Sequence, residues 1–207
     1  MKFEYSYARK TQLEKNIEAM DGLLTKVRKQ RMALQTLLNE VSDYIYRQLR
    51  IREVSIGLKS PKDGKYRYEA QAGMRENVWK AHLRIAYDFE DMLYPERWKG
   101  RPISKYTSLF LAEDLPYANG EGDTYDYQIM MKSERKSTED TREGDYLDTH
   151  IIGTNDELLG WIEISGTWNG KLPDTETIKC IEHIAHLLSL LLPYYEPKLA
   201  SRTSKPG

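Results

Sequence analysis

One cysteine, Cys180, stands among 207 residues, so neither an intrachain disulfide nor a zinc site built on several cysteines can form. A lone thiol suits a reducing compartment, and a cytoplasmic location is the expectation. Met1 to Tyr5 mix charges with aromatic rings where a signal peptide places an apolar run. The longest apolar cluster, Leu187 to Leu192, covers about a third of the ~20 residues that a membrane span requires, so no membrane crossing is expected. Charge of one sign is missing as well. Lys and Arg number 31 against 32 for Asp and Glu, which gives no global pull toward nucleic acid or an anionic surface. No helix-turn-helix or base-stacking platform is visible, so direct nucleic-acid binding is not expected.

What is present describes a folded chain. A 40% hydrophobic and 30% charged composition supports one core and is too apolar for disorder. The length fits a long single domain, or one of about 150 residues with an added element. Tyrosine is the unusual count, 15 against three Phe and four Trp. Tyrosine suits half-wet surfaces, where the ring is buried and the hydroxyl needs a partner.

From Thr11 to Leu49 there is no proline, and apolar residues fall at Leu13, Ile17, Met20, Leu24, Val27, Leu34, Leu38, Val41 and Ile45. Their spacing is a heptad seam with one polar interruption at Arg31, and it predicts a long helix that meets another helix. The partner is either the same helix of a second copy, giving a homodimer, or the C-terminal helix of the same chain. Gly22 is a candidate bend, and the half from Met32 to Leu49 is rich enough in apolar residues to pack on the domain as well.

Val54 to Lys59 and Tyr66 to Ala70 flank Pro61-Lys62-Asp63-Gly64, a turn-forming string, and predict an antiparallel hairpin. Glu76 to Leu93 reads as one helix closed by Pro95. Ser108 to Leu111 reads as a short strand. Tyr117 to Gly144 is polar and predicts a mobile loop with a helical piece near Tyr127 to Met131. Tyr146 to Ile152 and Leu158 to Ser165 predict a second hairpin. A last helix is expected after Asp174, its N-cap, with Ile178, Ile181, Ala185, Leu188 and Leu192 as its apolar face and Pro193 as its stop. The fold class expected is α+β, a central antiparallel sheet flanked by helices, with the long N-terminal helix beside the C-terminal one.

The segment from Gly144 to Leu191 resembles the C-terminal half of a GAF domain. The residues that carry this are Gly144-Asp145-Tyr146 to Ile152, Leu158-Leu159-Gly160-Trp161-Ile162-Glu163-Ile164, and Leu172-Pro173-Asp174 leading into the helix that contains Ile181-Glu182-His183-Ile184-Ala185. Arg101 to Tyr106, Glu113-Asp114 and the lead-in from Lys136 to Asp145 look similar to GAF domains of microbial sensor proteins. The resemblance implies a sensory domain over 34–195, preceded by a helical dimerisation and signalling extension over 1–33 and followed by a tail over 196–207. It implies a homodimer through the heptad positions and the C-terminal helix, and a downstream signalling protein as partner. It also implies a pocket between sheet and central loop, for an unknown small molecule. By element position the lining would be Tyr87, Phe89, Tyr106, Ser108, Phe110, Tyr125, Tyr127, Asp148, His150, Trp161 and Glu163.

Three chemistries within that family can be weighed against the residues. Sulfoxide reduction needs an accessible thiolate and a resolving thiol, and Cys180 is alone. Covalent bilin attachment needs a mid-domain cysteine, and none is there. The Asn-Lys-x-Phe-x-Asp-Glu pattern of the cyclic-nucleotide class is missing. No nucleophile with its base is visible, so an enzyme is not expected. His150 and Glu163 stand on adjacent predicted strands and could face each other. Cys180, His183 and His186 step three residues at a time around a helix and do not converge on one ion. A scaffold that dimerises without a ligand remains the alternative to a sensor.

Overall fold

The computed structural model describes residues 11–29, 32–93, 100–117 and 120–195. The expected tail over 196–207 lies outside these. Helices α1 (Gln12–Lys29) and α2 (Leu34–Gln48) are followed by strands β1 (Val54–Lys59) and β2 (Tyr66–Ala72), then by short helices α3 (Glu76–His82) and α4 (Phe89–Leu93). Next come β3 (Arg101–Pro102), β4 (Thr107–Phe110), α5 (Tyr127–Lys132), β5 (Tyr146–Ile152), β6 (Leu158–Ile164) and α6 (Thr175–Leu191). The strands form one antiparallel sheet in the order β2-β1-β6-β5-β4-β3. The α+β expectation holds.

Both faces of the sheet are covered, so strand alternation sorts residues between two interiors rather than between core and solvent. Val54, Ile56, Leu147, Ile151, Ile162 and Ile164 point to one side, where α2 and α6 lie, and form the main apolar core. Ser55, Gly57, Asp148, His150, Trp161 and Glu163 occupy the intervening positions. At β2 a bulge breaks the alternation. Ile56 pairs with Ala70 but Gly57 pairs with Tyr68, leaving Glu69 as the extra residue. Tyr66 and Tyr68 thereby turn to the side opposite Ala70, and join Trp161 and Leu158 in a second apolar cluster. Gly57 lies beneath Trp161, and a Cβ there would overlap the indole ring.

The helical seam is not continuous. α1 folds back antiparallel to α2, with Tyr44 donating its hydroxyl to the Asn16 carbonyl at 2.8 Å and Lys26 pairing with Glu40 at 2.8 Å. The break falls after Lys29 rather than at Gly22, which sits inside α1. Leu38, Val41 and Ile45 are buried against the chain's own sheet, while Ile17 is 58% exposed. A seam shared with a second copy through all nine heptad positions is therefore closed to this conformation. The side chain of Leu13 lies outside the described residues. α1 does reach the C-terminal helix as expected, through Leu23 in the core and a hydrogen bond between the Asn16 side chain and Cys180. Glu182, buried on α6, accepts from Thr107 Oγ1 at 3.1 Å and from Ser104, which ties that helix to β4.

Two further expectations change. The helix expected over Glu76 to Leu93 is split, because Tyr87 leaves helical geometry to pair with Tyr66 at the sheet edge, by backbone hydrogen bonds of 2.9 and 3.0 Å. The mobile loop expected over Tyr117 to Gly144 is a pinned cover over its described residues, and the helical piece expected within it is α5. Asp145 accepts from the Ala112 amide at 2.9 Å, the Arg142 amide at 2.7 Å and the Arg135 guanidinium at 2.9 Å. Arg135 also grips Glu113, whose carboxyl its hydrogen bonds hold down at about 2. Asp126 caps α5, and Asp174 caps α6 by accepting from the Thr177 amide at 2.8 Å.

Replacing Gly57 by alanine is expected to destabilise the domain by about 1–3 kcal/mol through displacement of Trp161. Arg135→Ala strands a buried carboxylate and is expected to cost about 3 kcal/mol. Chemical denaturation measures both, and proteolysis within 112–145 should rise in Arg135→Ala before global unfolding.

Candidate functional site

On the side of the sheet away from α2 and α6 lies a cavity of about 120 Å³. Its floor is the strand pair β5–β6, which presents Tyr146, Asp148 and His150 beside Trp161 and Glu163. Tyr68 of β2 and His82 at the end of α3 form one wall, and Tyr87 joins them through its edge bridge. Tyr117, Glu121 and Tyr125, from the segment held down by Asp145, form the roof.

Seven of the eleven residues expected in a pocket line this cavity: Tyr87, Phe110, Tyr125, Asp148, His150, Trp161 and Glu163. Four do not. Phe89 is 44% exposed on α4, beneath the Lys59 ammonium. Tyr127 points outward from α5 and is exposed. Tyr106 precedes β4 in an irregular stretch and packs its ring edge-on to His186 of α6, at 5.0 Å. Ser108 is half-buried on β4, between Pro102 of β3 and Asp148 of β5, and does not reach the cavity. Sequence reasoning missed Tyr68, His82, Glu53, Glu121 and Tyr146, all of which line the cavity. Tyr146 was readable, since it alternates with Asp148 and His150 on one strand. His82 and Glu121 were not, because their positions depend on how separate segments dock.

The expected facing pair of His150 and Glu163 is replaced by another. The register sets Asp148 opposite Glu163, and His150 opposite Trp161. The histidine that meets Glu163 is His82, whose Nε2 lies 3.6 Å from Oε1. Its Nδ1 lies 2.8 Å from the Val78 carbonyl and donates to it, which directs Nε2 toward the cavity. Burial disfavours charge on His82, but Glu163 and the Val78 carbonyl outweigh burial and raise its pKa. His150, without such a partner, is pushed down by burial. Glu163 also accepts from the Tyr68 hydroxyl at 2.8 Å, and Glu121 accepts from Tyr87.

Asp148 is the chemically exposed point of this arrangement. It keeps some accessible surface because it borders the cavity, yet its carboxyl is enclosed by protein and Oδ1 is buried with no hydrogen-bond partner. Enclosure, and then the charges of Glu163 and Glu121, push its pKa well above the ordinary carboxylate range. Burial, with Glu143 adding to it, raises Glu53 as well. The rings around these carboxylates stand nearly perpendicular to one another. Tyr68 meets Trp161 at 5.0 Å and 77°, and Tyr87 meets Trp161 at 5.8 Å and 72°. Among the described residues, no three His, Cys, Asp or Glu side chains are placed to hold a metal ion. Cys180 is buried on the far side of the sheet, where burial raises its thiol pKa.

A carboxyl whose pKa is higher folded than unfolded stabilises the fold most below its unfolded pKa, and that contribution is lost as pH rises toward the folded value. Asp148→Asn removes the loss. The variant is expected to be more stable than the parent at neutral pH, by on the order of 1 kcal/mol, with the gap closing toward pH ~4. Thermal melts across that pH range check it.

No protein-family model matches the chain, and no curated protein matches it by sequence. Solved structures do match its shape. The GAF domain of a phosphoenolpyruvate-protein phosphotransferase from Acinetobacter superposes with a TM-score of 0.60 at 10% identity, covering 88% of this chain and 95% of that one. The GAF domain of a phosphoenolpyruvate-protein phosphotransferase from Coxiella burnetii gives 0.57 at 15% identity, covering 92% and 99%. The phycoerythrobilin-bound GAF domain of a cyanobacterial phytochrome gives 0.57 at 14%, covering 88% and 97%. With its strand order, its two-sided sheet and its covered cavity already described, these superpositions show that the chain has the GAF fold.

Proposed function

We propose that this chain is a sensory or regulatory domain that binds a small molecule in the cavity over β5 and β6, and that it signals through its terminal helices in a dimer. The observation that carries this reading is the cavity itself: it is lined by aromatic rings and carboxylates, and roofed by a segment held in place by the ion pair of Arg135 with the buried Asp145. Solved structures that superpose on this chain include a domain of a two-component sensor histidine kinase protein and, over 63% of its length, the chromophore-binding domain of a bacteriophytochrome. A bilin is a poor candidate here. The cavity, about 120 Å³, is close to the ~150 Å³ of an engineered pocket that holds one benzene. The ligand favoured is therefore of single-ring size.

The route to the helices is short. Asp148 and Glu163 sit on the cavity side of β5 and β6, while their neighbours Leu147, Ile162 and Ile164 pack in the core with α2 and α6. A ligand that shifts either strand therefore disturbs helix packing one residue away. In this reading the extension 1–33 is the moving part, docked by α1 in the state described and able to pair with a second copy when released. The domain 34–195 is the sensor, and its output lies in another protein or another part of a longer chain. Catalysis is not part of the proposal. Cys180 is buried away from the cavity, which argues against the reductase alternative.

Native mass spectrometry of the purified protein is expected to show a retained small-molecule mass on a dimer. Denaturing and refolding to remove that mass, then restoring it, is expected to change amide exchange in α1 and α6. A dimer with no retained mass, and exchange in α1 indifferent to every added metabolite, would instead assign the chain to the scaffolds that dimerise without a ligand, and a monomer would overturn the dimer in both readings.

A further inference from the structure

We propose that the cavity selects a small organic cation, an alkylammonium or guanidinium group, held by Asp148 and Glu163 against the aromatic wall of Tyr68, Tyr87 and Trp161. This rests on the sensory reading above and names its ligand class.

Charge is the first argument. Seven carboxylates and two arginines line the cavity. Glu143 and Asp145 already serve the roof, through Arg75 at 2.5 Å and Arg135 at 2.9 Å. One of the lining arginines, Arg142, is spent on Glu113 and the Met130 carbonyl. The floor carboxylates Asp148 and Glu163 have no Lys or Arg partner among the described residues; Glu163 is served by Tyr68 and His82, and Asp148 Oδ1 by nothing. A buried carboxyl oxygen without a protein donor is costly, and a donor brought by a ligand removes the cost. A carboxyl group turns easily about its last bond, so either oxygen of Asp148 can face an incoming donor.

Shape is the second argument. Tyr68, Tyr87 and Trp161 pack edge-to-face on one another and form one aromatic wall beside the carboxylates, a surface that attracts a desolvated cation while an anion neutralises it. An anionic ligand would meet Glu163, Asp148 and Glu121 at close range, and a neutral apolar one would leave Asp148 unsatisfied. The volume limits the group to a few heavy atoms or one ring.

Proton balance follows from the same geometry. Glu163 and Glu121 face Asp148 and favour its protonated form; the Tyr68 and Tyr146 hydroxyls lie in the same field, and His82 and His150 border the cavity. A cation that binds beside Asp148 displaces that proton to solvent.

The test is titration calorimetry on the full chain, stripped of retained ligand, with tetramethylammonium, guanidinium and ethylammonium. Tert-butanol, urea and ethanol are the neutral counterparts, and acetate is the anion. At least one cation is expected to bind about tenfold or more tightly than its neutral counterpart. Its enthalpy should depend on the buffer as proton release requires, and its affinity should rise with pH. Asp148→Asn is expected to abolish that preference and the proton release while folding at least as stably as the parent, and Glu163→Gln should weaken cation binding. Equal binding of a neutral probe or of acetate, or no cation binding at millimolar concentration, overturns the cation assignment. The sensory reading stands or falls separately, on whether the mass retained by the purified protein alters exchange in α1.

Discussion

The carboxylate of Asp145 gathers the amides of Ala112 and Arg142 and the guanidinium of Arg135, and the roof of the cavity hangs on that convergence. It does so from a position with almost no solvent access, so the pair is screened little by water or salt. Without it, the polar segment between β4 and β5 would have little apolar burial to hold it to the sheet. Met130 is the sole apolar side chain of α5 that is buried, while Ile129 and Met131 stay exposed. A segment this polar is kept in place by directed hydrogen bonds rather than by hydrophobic packing, and such bonds can be released without melting the domain.

On the other side of the sheet the physics is reversed. Leucine and isoleucine side chains from α2, α6, β1, β5 and β6 fill the core, and polar groups such as Glu182 and Thr107 satisfy one another within it. The same strands serve both interiors, because successive residues face opposite ways. Asp148 belongs to the polar side, while Leu147 beside it belongs to the apolar one. Hydrophobic burial on the helix side is what makes it tolerable to leave Asp148 poorly satisfied on the other. Strain of that kind gathers where a protein receives something from outside.

The helical hairpin shows why one pattern can have two outcomes. A narrow apolar stripe on α1 is buried equally well by a second copy or by the chain folded back on itself. Here α1 lies along α2, with Tyr44 and Glu40 as its polar fastenings. Those contacts are few, and Lys26 and Glu40 are both well exposed, so their ion pair adds little. Much of the hold comes from Leu23 and the half-buried Ala19, Met20 and Val27. That is a modest grip for an element proposed to move.

Local chemistry was legible along the chain. The Pro61–Gly64 turn, the Asp174 cap, the alternation of β5 and β6 and the apolar face of α6 all follow from properties of residues close in sequence, so they could be read from it. The resemblance to GAF domains around Gly160 and Trp161 likewise brought seven cavity residues into view. Long-range register was not legible. The bulge at Glu69, which turns Tyr66 and Tyr68 toward Trp161, is a mismatch between two strands and exists in neither alone. The pairing of Asp148 with Glu163, the arrival of His82 from α3 and the fold-back of α1 were decided by which surfaces bury each other best once the sheet forms. Sequence determines what each residue wants nearby. Tertiary packing decides which of several acceptable partners it gets, because burial is non-directional and many pairings satisfy it almost equally.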